Sequence, residues 1–329
     1  MPTIAHVGYG YWGRNIARNL AELGLLGAIV DPDPKAAAEG AERLAVPARG
    51  FAEVLADPGI DGVSLASPAS LHFEQAKAAL EAGKHVFVEK PLALDLDQAE
   101  ALVRTAEERG LCLMVGHLLQ YHPAYEKLRA LVREGALGRL LYVYSNRLSL
   151  GKFRREENVL WSFAPHDISM ILGLVGEEPS HVSAQGRVAY TPGVADVVTA
   201  EMKFPGGACG HVLVSWMHPF KEQRLVVVGE RAMAVFEDSE PDWNAKLKLY
   251  PHRIETGEGA PVPVKAEAEA VPVEQGEPLR AECRHFAECI RTGHTPRTDG
   301  REGLAVLRVL DKAERSLRED LARQATDRG

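Results

Sequence analysis

A carboxylate, an ammonium and a ring that fixes the backbone follow one another in Glu89-Lys90-Pro91. They come directly after Val86-Phe87-Val88, an apolar run of strand type. A lysine at a strand tip loses its charge more easily when it is partly desolvated and stands beside another cation such as an oxidised nicotinamide. It can then exchange a proton with a hydroxyl. The plain structural alternative for Lys90 is a salt bridge with a nearby acid. Glu89 reads as the residue that orients Lys90 or its backbone, and Lys90-Pro91 as a cis peptide that aims the lysine. A second cluster lies in "HVGYGYWGRN", where Gly8, Gly10 and Gly13 have the spacing G-x-G-x-x-G between a strand and a helix. These glycines permit a tight turn and let the backbone approach a pyrophosphate seated on the helix N-terminus. Asp31 closes the second strand-like run. A carboxylate there accepts from ribose hydroxyls and repels a 2′-phosphate, and no arginine follows closely in "DPDPKAAAE". The expected cofactor is therefore NAD rather than NADP, and no metal is expected. A turn or helix-capping role is the alternative for Asp31, with Asp33 able to cap instead. The cofactor-binding set is Gly8, Gly10, Tyr11, Trp12, Gly13, Asp31, Ser67, Pro68, His72, Glu89 and Lys90.

These clusters need a scaffold that brings them together. The first 120 residues alternate strand-like runs ("TIAHVGY", "LGAIVD", "DGVSLAS", "HVFVEK", "LCLMVGH") with helix-period segments at Trp12–Leu23, Pro34–Leu44, Ser70–Ala82 and Asp95–Arg109. A weaker strand–helix pair falls near Val46–Ala56. Ser70 and Asp95 suit N-caps, and Gly83 and Gly110 suit helix stops. Such alternation predicts a Rossmann-type doubly wound α/β domain over residues 1–120, a parallel sheet covered on both faces. Ligands bind outside the carboxyl ends of such strands. Gly8–Gly13, Asp31, Ser67-Pro68, Glu89–Pro91 and Gly116-His117 all stand at those ends. After a helix near Pro123–Glu134, consecutive strands with hairpin-like breaks and one helix near His166–Leu174 predict an α+β domain over residues 121–329, built on a mostly antiparallel open sheet. Thr256–Pro278 reads as a surface excursion, and helices near Leu279–Thr292 and Arg301–Leu321 close the chain.

Composition narrows the function classes. The 329 residues suit two domains, and 46% apolar with 26% charged residues is a soluble globular balance. The net charge of −8 carries no basic patch for nucleic acid. No apolar run reaches the ~20 residues of a membrane span, and the N-terminus lacks a signal-peptide pattern. Cys112, Cys209, Cys283 and Cys289 are widely spaced without a C-x-x-C pair, which suggests reduced thiols and a cytoplasmic protein. The apolar strands of the second domain exceed what one helix layer covers, so a homodimer or homotetramer is expected.

"VGYGYWG", "SPASLH", "GKHVFVEKPLA" and "HPAYEKLRALVREGALG" resemble the Gfo/Idh/MocA family of nicotinamide-dependent sugar and inositol oxidoreductases. The resemblance covers nearly the whole chain. It implies that Lys90 is catalytic and that His166, in "WSFAPHDISMILGLVG", assists it. The family pattern D-x-G-x-H-x-x-D is altered here: Ser162, Ala164 and Ser169 replace the two aspartates and the glycine, and Asp167 sits beside the histidine. The resemblance extends to the branch that oxidises nucleotide-linked amino sugars at C3, which tends to lack the first aspartate. The implied activity is oxidation of a secondary hydroxyl of a UDP-linked amino sugar by hydride transfer to nicotinamide. The alternatives are a free-polyol dehydrogenase of the inositol or glucose type, or a catalytically silent NAD-binding regulatory protein on the same fold. "YSNRLSLGKFRREENVLW" places Arg147, Lys152, Arg154 and Arg155 near that helix, and arginine forks match a diphosphate. A solvated loop neutralised by Glu156 and Glu157 is the competing reading. Tyr121 and His122 either face the sugar or pack against the following helix.

Overall fold

Short apolar runs bounded by turn residues form the strands of a parallel sheet: β1 (Ile4–Val7), β2 (Leu26–Val30), β3 (Gly62–Leu65), β4 (His85–Val88) and β5 (Leu113–Val115). Their order is β2-β1-β3-β4-β5, and every pairing is parallel. Between them run α1 (Gly13–Glu22), α2 (Pro34–Leu44), α3 (Phe51–Ala56), α4 (His72–Glu81) and α5 (Leu96–Arg109). The computed structural model describes residues 1–326. It divides into two compact units: Met1–Tyr121 with Glu277–Leu307, and His122–Gly276 with the chain from Arg308 onward.

Local chemistry explains most helix ends of the first unit. Asp33 caps α2 by accepting from Lys35 N, with Pro34 at the first helical position. Asp95 caps α5 through Gln98 N at 3.1 Å, and Gly110 closes it in the left-handed conformation at φ 62°. Ser70 does not cap α4: Ala69–Leu71 make a 3-10 turn first, and the α-helix starts only at His72. The weak strand near Val46 reduces to a single bridge between Ile29 and Ala48.

The second unit holds α6 (Pro123–Arg133), β6 (Leu140–Leu150), α7 (Val159–Val175), β7 (His181–Arg187), β8 (Val197–Lys203), β9 (Cys209–Ser215), β10 (Met217–Gly229), β11 (Met233–Glu237), β12 (Leu247–Tyr250), β13 (Arg253–Glu255), β14 (Val262–Val264) and β15 (Glu269–Ala270). Eight of these strands form one sheet in the order β15-β12-β11-β10-β6-β9-β8-β7. Only β6–β9 is a parallel pair; the others are antiparallel. Helix α7 packs across β6, β8 and β9. It begins seven positions before the expected His166, at Val159. Asn158 caps it through Leu160 N and Trp161 N, and Pro165 lies inside it. Pro165 suits a helix start by rule, but here the cap upstream wins and His166 is mid-helix.

The expected second domain, residues 121–329, is interrupted. Helix α8 (Pro278–Thr292) and the start of α9 (Gly300–Thr326) belong to the first unit. Leu279, Cys283 and Phe286 share one core with Ile4, Phe87, Met114 and Tyr121, and the Phe286 ring lies 5.8 Å from that of Phe87. The four cysteines are free thiols, and among the described residues no helix is long and apolar enough to cross a membrane.

Candidate active site

The sheet reverses direction of growth between β1 and β3, the point where an open parallel sheet leaves a crevice. Gly8 follows β1 with φ +94°, and a side chain there would strike the backbone of Ala66 and Ser67 just after β3. A side chain at Gly13 would run into the carbonyl oxygen of Gly8. Gly10 is different: nothing lies near the place of its missing Cβ, which is the room a pyrophosphate needs against the backbone. These residues therefore fit a dinucleotide. Tyr11 and Trp12 stand exposed beside that space.

Under the turn sits His6, fully buried. Its Nε2 lies 3.0 Å from Gly8 O and its Nδ1 3.2 Å from Ser64 Oγ. A carbonyl can only accept, so Nε2 carries the proton and Nδ1 accepts from the hydroxyl. Burial lowers its pKa to about 4, against the opposing pull of the Gly8 carbonyl and the Asp31 charge. The glycine spacing alone does not point to His6. Its signal was a histidine inside an apolar strand directly before the first glycine.

Asp31 accepts from Tyr9 N at 2.7 Å and from Asp33 N at 2.8 Å, so the turn role is real. Each carboxylate oxygen keeps a further lone pair, and the half-buried side chain stays available to a ribose.

The Lys90–Pro91 peptide is cis. Beside it, Glu89 accepts from Trp12 Nε1 at 2.7 Å and lies against Gly116, the residue after β5. Burial pushes the Glu89 carboxyl up, while the Trp12 bond and the Lys90 charge pull it down. His72 is buried, with Nδ1 2.8 Å from Pro91 O and Nε2 2.9 Å from Ser67 O. Burial lowers the His72 pKa, and the neutral ring has one N–H, so it donates to one of these two carbonyls and lies against the other; it sits between the Ser67 loop and the Pro91 turn and is not placed as a direct cofactor ligand. Ser67 donates to Gln75 Oε1 at 2.5 Å, and Pro68 is exposed. On the neighbouring tip, His117 Nδ1 lies 2.6 Å from Glu302 Oε2.

In the second unit, His166 is half-buried on α7. Asp167 beside it is buried and points into the sheet. It takes Arg147 Nε at 2.6 Å, Arg147 Nη2 at 3.2 Å and Ser145 Oγ at 2.5 Å. Arg147 is buried in this fork, which corrects its assignment to a diphosphate: its charge is spent on holding α7 to β6. Arg154 pairs with Glu157 at 2.6 Å, as the self-neutralised reading of "RREE" expects. Lys152 and Arg155 stand exposed on the same loop. Tyr121 is also corrected. It is buried in the first unit, with its hydroxyl 3.0 Å from Thr298 Oγ1 and Arg297 over its ring at 4.9 Å. His122 caps α6 by accepting from Ala124 N and stacks on Trp243 at 5.2 Å.

A cavity of about 300 Å³ in the first unit is lined by His85, Leu113, Cys112, Cys289 and His294 among others. His85 and Leu113 begin their strands, so it opens at the opposite end from the clusters above and is not the reaction site.

Residues 3–117 match the family model described as the oxidoreductase family with an NAD-binding Rossmann fold, and residues 125–235 match the Gfo/Idh/MocA C-terminal domain. The chain is 32% identical over 307 residues to a UDP-N-acetylglucosamine 3-dehydrogenase of Acidithiobacillus ferrooxidans, covering 92% of each. A crystal structure of that enzyme superposes with a TM-score of 0.85 at 30% identity, covering 97% of this chain and 98% of the other. A scyllo-inositol 2-dehydrogenase (NAD⁺) of Bacillus subtilis is 29% identical over 255 residues, covering 74% of this chain and 71% of its own.

Proposed function

Because the chain belongs to the Gfo/Idh/MocA family of NAD-binding sugar and polyol dehydrogenases, we propose that this oxidoreductase oxidises the C3 hydroxyl of a UDP-linked amino sugar, with NAD preferred over NADP. One observation carries the reading: Lys90 stands on the tip of β4 in the same sheet whose β1 and β2 tips carry the glycine turn and Asp31. Bound NAD would supply the hydride acceptor. Gly10 gives its pyrophosphate room, Gly8 and Gly13 let the turn close beneath it, and Asp31 takes the ribose hydroxyls. Lys90 Nζ removes the hydroxyl proton as the carbon gives up hydride, and His166 serves as its acid–base partner. Asp167 is engaged by Arg147 and Ser145, so Lys90 and His166 form the acid–base set without an aspartate relay. A group of this kind is worth roughly 10²–10⁴-fold in rate.

The sugar assignment draws on the likeness to the 3-dehydrogenase and on exposed Lys152 and Arg155. The engagement of Arg147 and Arg154 favours the second reading, an uncharged polyol, to which the likeness to the inositol enzyme also leads. NAD reduction with a panel of UDP-sugars and free polyols separates the two. Turnover of a UDP-amino sugar well above any polyol supports the first, and preference for inositol or glucose overturns it. We also propose that copies associate through the sheet face turned away from α7. Tyr144, Val226 and Val235 stand in register across β6, β10 and β11. They alternate with Ser145, which bonds Asp167 of α7, and with Val227 and Ala234, which are buried.

A further inference from the structure

Glu89 is set among acids. Helix α8 places Ile290 against Gly62, at the start of β3 beside His85 of β4, and Phe286 against Phe87, two residues further along β4. The helix thus runs antiparallel to β4. One turn earlier than Phe286 on α8 is Glu282, and two residues beyond Phe87 is Glu89. At ~1.5 Å per helical residue and ~3.3 Å per strand residue these two steps match, about 6 Å each. Glu282 therefore comes level with Glu89. It is fully buried, and neither of its carboxyl oxygens has a hydrogen-bond partner among the described residues. Burial pushes it well above the usual carboxylate range, and the charges of Glu89 and Glu302 add to that.

Other groups reach Glu89 as well. Lys90 adjoins it in the turn, and His117 faces it from the tip of β5. His117 is itself paired with Glu302 of α9. Carboxylates crowded in this way cannot all ionise. The indole N–H of Trp12, at 2.7 Å, and the backbone N–H of Lys90 both donate to Glu89 and favour its charged form beside Lys90. Trp12 is the residue just before Gly13, in the turn that takes the pyrophosphate.

We propose that Trp12 is a positioning residue for the acid–base lysine: by holding Glu89 as a carboxylate, it ties the dinucleotide turn to the proton affinity of Lys90. This rests on Lys90 acting as proposed above. Without the indole N–H, Glu89 takes up a proton more readily. Lys90 then loses a neighbouring negative charge and releases its own proton more readily. Oxidation needs the free amine, so kcat/KM rises with pH through the lysine's titration. That rising limb moves to lower pH when Glu89 is neutral.

The experiment compares wild type, Trp12→Phe, Glu89→Gln and the double variant. The first arm is the pH profile of kcat/KM on whichever alcohol the wild type oxidises. Both single variants should move the limb down by about one unit, the lower end of the effect of a neighbouring opposite charge. The double variant should move it no further. The second arm is infrared difference spectroscopy on the protein without substrate. Trp12→Phe should gain the carbonyl band of a protonated carboxylic acid at neutral pH, and Trp12→Phe/Glu89→Gln should lose it. This arm needs neither turnover nor the sugar assignment, so a failure of the substrate reading leaves it standing. A Trp12→Phe profile that coincides with wild type, shifts that add in the double variant, or no new carbonyl band each overturn the proposal.

Discussion

At the scale of single residues, the chemistry depends on charges whose partners are now identified. Asp31 holds Tyr9 N and Asp33 N with its two oxygens. Asp31→Ala should weaken NAD binding and improve the relative use of NADP, since one carboxylate supplies both ribose acceptance and repulsion of a 2′-phosphate. Cofactor titration and steady-state kinetics read both effects; a wild type that already prefers NADP contradicts the assignment. If the substrate carries a diphosphate, Lys152→Ala/Arg155→Ala should raise KM for the UDP-sugar far more than it lowers kcat, because phosphate contacts change little between ground and transition states. An unchanged KM would return the loop to plain solvated surface. Arg147 was not legible in the same way. A sequence shows it near Lys152 and Arg154, but its partner Asp167 comes from another element, and only packing of α7 on β6 brings the two together. Glu89-Lys90-Pro91 was legible because three functional side chains break an apolar run at one point.

At the scale of elements, the glycine turn depends on what lies beneath it. His6 joins Gly8 O to Ser64 of the neighbouring strand, with a pKa lowered from 6.5 to about 4. The folded state therefore binds fewer protons than the unfolded chain between those values. Its stability contribution is present above pH 6.5 and is lost as pH falls toward 4. His6→Gln keeps a donor toward Gly8 without that titration. Its melting temperature should fall less steeply than that of wild type across this window, as differential scanning calorimetry would show; parallel slopes would contradict the account. The parallel strands and their order were readable, because apolar runs bounded by Gly, Pro and Asp alternate with helical periods. The start of α7 is hard to see in the sequence, because Pro165 mimics a helix start while the true cap, Asn158, adjoins the basic loop. The sequence shows α8 as a helix but not that it belongs to the first unit. Its apolar stripe does not say which core it meets; Phe286 against Phe87 does.

At the scale of the whole molecule, the chain leaves the dinucleotide unit after Tyr121 and returns to it at Glu277, so the residues that frame Glu89 come from both ends of the sequence. The sheet of the second unit presents Tyr144, Val226 and Val235 in one row, an apolar band of the kind that marks an interface. Light scattering at micromolar concentration should give a mass at least twice the 35.8 kDa of one chain, and Val226→Glu should lower it; a wild-type monomer would contradict the assembly. What binds these scales together is the claim that the strand tip of β4 delivers the acid–base lysine of an NAD-dependent alcohol oxidation. The most direct measurement is Lys90→Met, with NAD titration and steady-state turnover on the same preparation. NAD affinity close to wild type, with turnover reduced by at least about a hundredfold, is the predicted result; near-normal turnover would remove Lys90 from the chemistry and contradict the account.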